Sequence, residues 1–198
     1  MIDKKQKILF VHDYPPVEGG GLELNTFRLA KELVKKGNFV TIATTRFFSE
    51  TFNQVPIKNF EGVKIKGIRD RDNLAGLIDA NDIIHVQATF SLRFGTMETL
   101  RICREIGKEV FVTLHTGVGH IPFSRLSSLD LREKNSLLKE FKELLGGNNV
   151  RIILPEELLK RSLEAIGVKN KISVIRNGIY FPENNNNGHR KNTKKNKT

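Results

Sequence analysis

Cysteine is nearly absent from this sequence, since Cys103 is the only one among 198 residues. A lone thiol cannot form an intramolecular disulfide, and such usage is typical of a protein in a reducing cytoplasm. Cys103 falls within a helical pattern, so we expect a buried structural thiol rather than a nucleophile. No set of His, Cys, Asp and Glu residues has the spacing of metal ligands, so we expect no metal site. The sequence also shows no Ser-His-Asp arrangement of a nucleophilic catalyst.

Long apolar runs are also lacking. No stretch approaches the ~20 apolar residues that a membrane-spanning helix needs. The apolar run near the N-terminus is short and is broken by His12 and Asp13. We therefore expect neither a signal peptide nor a membrane span, and a cytoplasmic protein.

Acidic residues are too few to balance the basic ones, and the formal net charge is +11. Five of these charges lie in the last ten residues, where no acid is present. Such a balance favours an anionic partner, such as phosphate groups, an acidic membrane surface or nucleic acid. A basic composition with no such partner is the open alternative.

Apolar residues disappear after Phe181. Residues 182–198 contain none beyond the proline that begins them, so they cannot bury enough surface to offset the entropy of ordering. We expect a disordered, Asn- and Lys-rich basic tail there and a folded domain over residues 1–181. A cloning or frameshift remnant and a polybasic contact with membrane lipids or nucleic acid are both open explanations for the tail.

Short apolar runs alternate with amphipathic segments along the rest of the chain. This order is typical of right-handed βαβ crossovers, so we predict an α/β fold with a Rossmann-like, doubly wound parallel sheet and helices on both faces. We expect strands at residues 7–12, 39–45, 63–68, 82–88, 109–115, 150–155 and 171–179. We expect helices at residues 22–37, 73–80, 91–107, 131–147 and 155–168.

Two local expectations follow from these patterns. The run at residues 63–68 alternates apolar and polar side chains, which predicts an edge strand. Asn73 begins the short helical pattern at residues 73–80, which predicts that its side chain caps that helix.

Ligands of such sheets bind beyond the carboxyl ends of the strands. His12 and Asp13 follow the first strand, Gln87 lies at the end of another, and His115 and Thr116 end a third. Because parallel strands end at one edge of a sheet, these polar residues predict a site there.

Three glycines, Gly19, Gly20 and Gly21, precede the first helix. Bare backbone amides at a helix N-terminus bind anions, and glycine lets a phosphate approach closely. An unrelated nucleotide-binding doubly wound domain is a weaker alternative. Two features argue against its dinucleotide fingerprint: Leu24 stands where the third glycine belongs, and no acid ends the second strand. A Gly-Lys-Ser/Thr phosphate loop is absent. A plain strand-to-helix turn is the alternative to an anion site.

The chain resembles the first domain of GT-B glycosyltransferases of family 4. Four stretches carry the resemblance, and together they span residues 7–181: the opening "KILFVHDYPPVEGGGLELNTFRLAKELVKKGNFVTIATT", then "DIIHVQ", "VFVTLHTG" and "KISVIRNGIY". The sequence departs from the family pattern at three places, with Asn38 for a histidine, Arg176 for a proline and Tyr180 for an aspartate.

The resemblance implies half of a GT-B enzyme, the acceptor-side half. The donor-binding domain of the family would begin after Asn177 and Gly178, and it is absent from this chain. The implied function is that of a retaining, nucleotide-sugar-dependent glycosyltransferase that transfers a sugar to a hydroxyl acceptor only together with a second domain, which a separate gene could encode. A nucleotide-diphosphate sugar is the implied donor, and no further cofactor is expected. The implied acceptor is a carbohydrate or is lipid-linked; nucleic acid is not expected as a partner.

The resemblance also implies site residues. His115 would be the active-site imidazole, and Gly19, Gly20 and Gly21 would bind the donor diphosphate. Glu23, Asn25 and Thr116 are the candidate contacts to substrate or acceptor.

Alternatives remain open for these residues. Glu23 in the first helical turn also complements the helix dipole, and a strand-end histidine such as His115 can be purely structural. His85 is expected to be a packed core residue, and no role is assigned to His12 or His120. A non-catalytic module that binds an anionic acceptor, a membrane lipid or a partner domain is the alternative function. Peripheral contact with an anionic membrane is part of that expectation.

Overall fold

The computed structural model describes residues 5–12, 21–44, 57–68, 70–88, 94–115, 131–165, 167–168 and 170–176. Within these ranges, strands and helices alternate along one α/β domain. The strands are β1 Lys7–His12, β2 Phe39–Thr44, β3 Ile57–Phe60, β4 Val63–Gly67, β5 Ile83–Ala88, β6 Val110–Leu114, β7 Val150–Leu154 and β8 Ile172–Val174. The helices are α1 Gly21–Lys35, α2 Arg71–Asp79, α3 Phe94–Glu105, α4 Leu131–Leu145 and α5 Glu157–Ala165.

The eight strands form one sheet in the order β3-β4-β2-β1-β5-β6-β7-β8. Every neighbouring pair is parallel except β3 and β4, which pair antiparallel. The predicted Rossmann-like α/β fold is therefore confirmed. The central strand β1 is apolar along nearly its whole length because both of its faces are covered.

Two apolar cores lie on opposite faces of the sheet. On one face, Phe27 and Ala30 of α1 pack against β1, β2 and β4. On the other face, the larger core joins the sheet to α2, α3, α4 and α5 through residues such as Leu74, Leu100 and Phe141. Alternate residues of β1, for example Leu9 and Phe10, point into different cores, as the two-residue period of a strand requires.

Helix α1 ends at Lys35, and Gly37, where the sequence predicts the helix to stop, lies in the turn that follows. Gly37 has a φ of 89°, in the left-handed region that favours glycine. Its N–H donates to the carbonyl of Val34, and the N–H of Asn38 donates to the carbonyl of Leu33. These bonds satisfy carbonyls that the end of a helix would leave unpaired, and the chain turns directly into β2.

Two local predictions are wrong. Strand β4 is not an edge strand, because β3 pairs with its outer side and takes the edge position. The cap of α2 is Asp70, not Asn73: the Asp70 carboxylate accepts a hydrogen bond of 2.8 Å from the backbone N–H of Asn73. Because Asp70 is the cap, α2 begins at Arg71, two residues before the predicted start at Asn73.

A network of ion pairs ties together the helices on the larger core. Glu98 of α3, which is 7 % exposed, accepts from Arg71 of α2 at 2.6 Å and from Arg101 at 2.7 Å. Arg101 also donates to Glu140 of α4 at 2.7 Å, and Arg71 pairs with Glu105. Three consecutive helices on this face are thus held by charge-assisted hydrogen bonds in addition to apolar packing.

The lone cysteine is buried in α3, as predicted. Burial raises the pKa of the Cys103 thiol to about 12, so the reactive thiolate is not formed at neutral pH. The predicted basic tail at residues 182–198 and the predicted domain limit at residue 181 lie outside the described residues.

Candidate active site

The candidate site lies at the carboxyl edge of the sheet, where β1, β5 and β6 end side by side. Strand β2 lies next to β1 in one direction along the sheet, and α1, which connects them, covers one face. Strands β5 and β6 lie next to β1 in the other direction, and the helices near them cover the opposite face. A crevice at such a change of direction is where open α/β sheets bind ligands. His12, Gln87 and His115 are located at the ends of these three strands.

Two of these groups come from β1 and the first turn of α1. His12 is 4 % exposed and Glu23 is 8 % exposed. Nε2 of His12 lies 3.9 Å from Oε1 of Glu23. The first turn of α1 thus turns its carboxylate inward, toward the strand that the helix follows, and Glu23 faces the site.

A chain of polar contacts joins β5 to β6. The side-chain oxygen of Gln87 lies 2.7 Å from Nε2 of His115, and the side-chain nitrogen of Gln87 lies 3.4 Å from Nε2 of His85. The same His85 nitrogen is 2.7 Å from the hydroxyl of Thr113. Gln87 and Thr113 are direct partners in the strand register, so the sheet itself sets this arrangement. The backbone N–H of His115 donates to the carbonyl of Ala88 and fixes where β6 ends.

His85 itself is a packed residue. Its ring lies between those of Phe10 and Phe111, with centroid distances of 5.1 and 6.4 Å. His85 is thus packed, as predicted, but it is half-buried and belongs to neither apolar core. Its nitrogen also belongs to the polar chain.

Both imidazoles of this chain are neutral at pH 7. Burial lowers the pKa of His115 to about 4; His12 also lowers it, and Glu23 acts in the opposite direction. Burial likewise lowers the pKa of His85 to about 4, with a contribution from His115. The influence of His12 and Glu23 on His115 places these three groups in one electrostatic cluster. A neutral imidazole there can exchange hydrogen bonds with hydroxyl groups, but it does not supply a positive charge.

Gly21 begins α1 at the same edge, two residues before Glu23. Its backbone is not in the left-handed region, and a Cβ placed on it would meet no atom within 4 Å. Neither chain geometry nor packing among the described residues therefore requires a glycine at this position. Its bare backbone lies at the N-terminus of a 15-residue helix, which attracts anions.

The structure brings together only some of the residues that the sequence suggested. Glu23 and His115 belong to one cluster, and Gly21 lies beside it. Asn25 is exposed, and two residues along a helix place it on the far side of α1 from Glu23. The remaining candidates, Gly19, Gly20 and Thr116, lie outside the described residues.

Two members of the cluster, His12 and Gln87, had no role assigned from the sequence. Each is a buried polar residue at the end of an apolar run, and this position is the feature of the sequence that could have pointed to a role in the site. What the sequence could not supply was their neighbours, because the contact of Gln87 with His115 depends on β5 lying beside β6.

A separate cavity of about 620 Å³ opens at the amino-terminal edge of the sheet. Lys7, Lys64 and Lys66 line it, together with Phe39 and Leu77. It is at the opposite end of the strands from His115, so it is not part of the candidate site.

Two further searches concern the described residues only. No three or more His, Cys, Asp or Glu side chains come close enough together there to hold a metal ion. Among the helices of the same ranges, none combines the length and the apolar character needed to cross a bilayer.

Comparisons with known proteins agree with the fold. The sequence model of Glycosyltransferase Family 4 matches residues 19–180. No curated protein gives a significant match to the sequence. Among solved structures, sucrose-phosphate synthase from Thermosynechococcus elongatus is similar, with a TM-score of 0.57 and 11% sequence identity. The match covers 87% of this chain and 48% of the synthase, so this chain spans about half the length of that protein. The family match extends over most of the sequence, and the chain therefore belongs to glycosyltransferase family 4.

Proposed function

We propose that this chain forms the acceptor-side half of a retaining, nucleotide-sugar-dependent glycosyltransferase. In this proposal a sugar passes from a nucleotide-diphosphate donor to an acceptor hydroxyl in a crevice that the chain shares with a donor-binding domain. The observation that carries the proposal is the convergence of Glu23, Gln87 and His115 beside the start of α1. Membership in family 4 supports it.

Each part of the cluster has a role that its chemistry suits. The amides at the start of α1, including that of Gly21 and the candidates Gly19 and Gly20, stabilise the departing diphosphate. His115 exchanges a hydrogen bond with a hydroxyl of the donor sugar or the acceptor. Glu23 is the buried carboxylate of the cluster, and its charge suits an acceptor hydroxyl better than a phosphate. Thr116 stays a candidate acceptor contact, whereas Asn25 lies on the other side of α1 from the cluster and is given no role.

The charges of the cluster explain why a second domain is needed. His115 is neutral at pH 7, and the Glu23 carboxyl group supplies no positive charge to an anionic diphosphate. The helix N-terminus supplies only about half an elementary charge. Balancing a diphosphate in the transition state therefore needs cationic groups from elsewhere, which the proposal assigns to the donor-binding domain.

A turnover assay with a panel of nucleotide sugars tests this requirement. We expect the chain alone to bind nucleoside diphosphate weakly and to transfer no sugar. Sugar transfer by the purified chain would contradict the need for a second domain. Binding that is unchanged when Gly19, Gly20 and Gly21 are all replaced by alanine would contradict the assigned diphosphate site.

The net charge of +11 favours a second candidate function, peripheral attachment to an anionic membrane. Flotation with anionic vesicles at low and high salt tests it. We expect attachment at low salt and release at high salt, because salt screens surface charges. Equal flotation with neutral vesicles would contradict this second function and would leave the first unaffected.

A further inference from the structure

We propose that Gln87 is a positioning residue that holds His115 in one tautomer, with the proton on Nε2 and the lone pair on Nδ1. A ligand hydroxyl in the crevice then donates a hydrogen bond to Nδ1. The identity of that ligand rests on the proposed function, whereas the tautomer rests on contacts within the site.

The two ends of the Gln87 amide determine the tautomer. Its oxygen can only accept a hydrogen bond, and it lies 2.7 Å from Nε2 of His115, so that nitrogen must carry the proton. Its nitrogen can only donate, and it faces Nε2 of His85 at 3.4 Å. That His85 nitrogen therefore carries the lone pair, and the two histidines have opposite tautomers.

Thr113 is compatible with this orientation of the amide. Its hydroxyl lies 2.7 Å from the same Nε2 of His85 and can donate to the lone pair there. Because a hydroxyl can also accept, the tautomer of His115 rests on the Gln87 oxygen at 2.7 Å.

The tautomer of His115 determines which ligand groups can bind to its Nδ1. Three titratable side chains act on this part of the site: His12 from β1, Glu23 from α1 and His85 from β5. Because burial keeps His115 neutral at pH 7, its Nδ1 is an acceptor and not a donor. A sugar hydroxyl can donate to it, whereas a deoxy analogue cannot.

Long-range proton–nitrogen NMR of the full chain, with labelled histidine, tests the tautomer without any substrate. The His115 signals are assigned by their loss in His115→Asn. At pH 7 we expect a pyridine-type shift for Nδ1 of His115 and a pyrrole-type shift for Nε2. The opposite pattern, or an even mixture of tautomers, would overturn the proposal.

Three variants separate positioning from a merely structural role. Gln87→Leu should give His115 a mixture of tautomers. Gln87→Glu, which has nearly the same shape, should keep the Nε2–H form and raise the pKa of His115 by about 1 to 3. The matched control Thr113→Val should alter the His85 signals and leave those of His115 unchanged.

The isosteric Gln87→Glu variant keeps the proposal testable if the leucine variant does not fold. An unchanged His115 pKa in a folded Gln87→Glu protein would contradict it. These signals do not depend on sugar transfer. A confirmed tautomer in a protein that binds no nucleotide would therefore refute the proposed function alone.

Discussion

Neutral imidazoles and one buried carboxylate set the chemistry of the crevice. Burial keeps His85 and His115 uncharged at pH 7, so hydrogen bonds through Gln87 rather than charges hold them. Glu23 is the carboxylate that acts on this cluster. A site of this kind suits a ligand with hydroxyl groups, and in our proposal His115 acts there as a hydrogen-bonding group and not as a charged acid.

The lowered pKa values predict a loss of stability in mild acid. The unfolded histidines take up protons near pH 6.5, whereas His85 and His115 in the folded protein do so only near pH 4. Above about pH 6.5 these two histidines therefore cause no loss in the free energy of unfolding. The loss grows as the pH falls from about 6.5 toward 4, and below about pH 4 it stays constant. The free energy of unfolding should fall by up to about 3 kcal/mol for each imidazole.

Urea unfolding at about pH 7 and about pH 5 measures this loss. The His115→Asn variant is the control, since it should lose a smaller part of its stability between the two pH values. A free energy of unfolding that stays level or increases on acidification would contradict the assigned pKa values.

Gly21→Ala should separate binding from folding. Alanine is preferred to glycine in helices by up to about 1 kcal/mol, and there is open space for its Cβ. We therefore expect an unchanged or higher melting temperature. The methyl group obstructs the approach to the backbone amides. If this costs about one hydrogen bond, roughly 1 kcal/mol, diphosphate binding should weaken about fivefold.

Gly76→Ala is the matched control for that substitution. Gly76 also lies in a helix, α2, with open space for a Cβ, but outside the candidate site. It should likewise keep or gain stability and leave diphosphate binding unchanged. An equal loss of binding in both variants would argue against a specific role for Gly21.

At the scale of elements, the sequence predicted the buried strands better than the edge of the sheet. Strands β1 and β5 were predicted to within one residue because continuous apolar runs mark strands that are covered on both faces. Strand β3 was missed, since its sequence IKNF is short and half polar. Missing it made β4 look like an edge strand.

The site was predictable only in part, for a similar physical reason. Sequence places His12, Gln87 and His115 at strand ends, because an apolar run stops before a polar residue. It does not give the order of strands in the sheet, and the order β1-β5-β6 is what brings these ends together. The inward orientation of Glu23 likewise became visible only once α1 was packed against the sheet.

The ion-pair network between helices predicts an effect of Glu98→Gln. Glu98 is nearly buried and accepts from both Arg71 and Arg101, so loss of its charge weakens two charge-assisted hydrogen bonds at once. The two guanidinium groups keep only their pairs with Glu105 and Glu140. We expect the free energy of unfolding to fall by about 1–3 kcal/mol, measured by urea unfolding.

Glu32→Gln serves as the control for that prediction. Its pair with Lys35 is solvent-exposed on both sides, so removal of its charge should leave stability within error of the wild type. Equal effects of the two substitutions would mean that the network adds nothing to the apolar packing of α2, α3 and α4.

At the scale of the whole molecule, the chain is one Rossmann-like unit, and a solved structure with a similar fold is about twice as long. The sucrose-phosphate synthase match covers 87% of this chain and 48% of that protein. The charges of the crevice agree with the proposal of a shared site, because a neutral His115 and an acidic Glu23 do not balance a diphosphate. The basic cavity at the opposite edge, lined by Lys64 and Lys66, offers a competing anion site.

An NMR titration of the full chain with uridine diphosphate distinguishes these two edges most directly. Our account predicts saturable shifts of the backbone amides of Gly21 and Glu23 and of the His115 side chain, with little change at Lys64 and Lys66. Shifts confined to Lys64 and Lys66, or no saturable shift at the carboxyl edge, would contradict the central claim that this crevice is the sugar-transfer site.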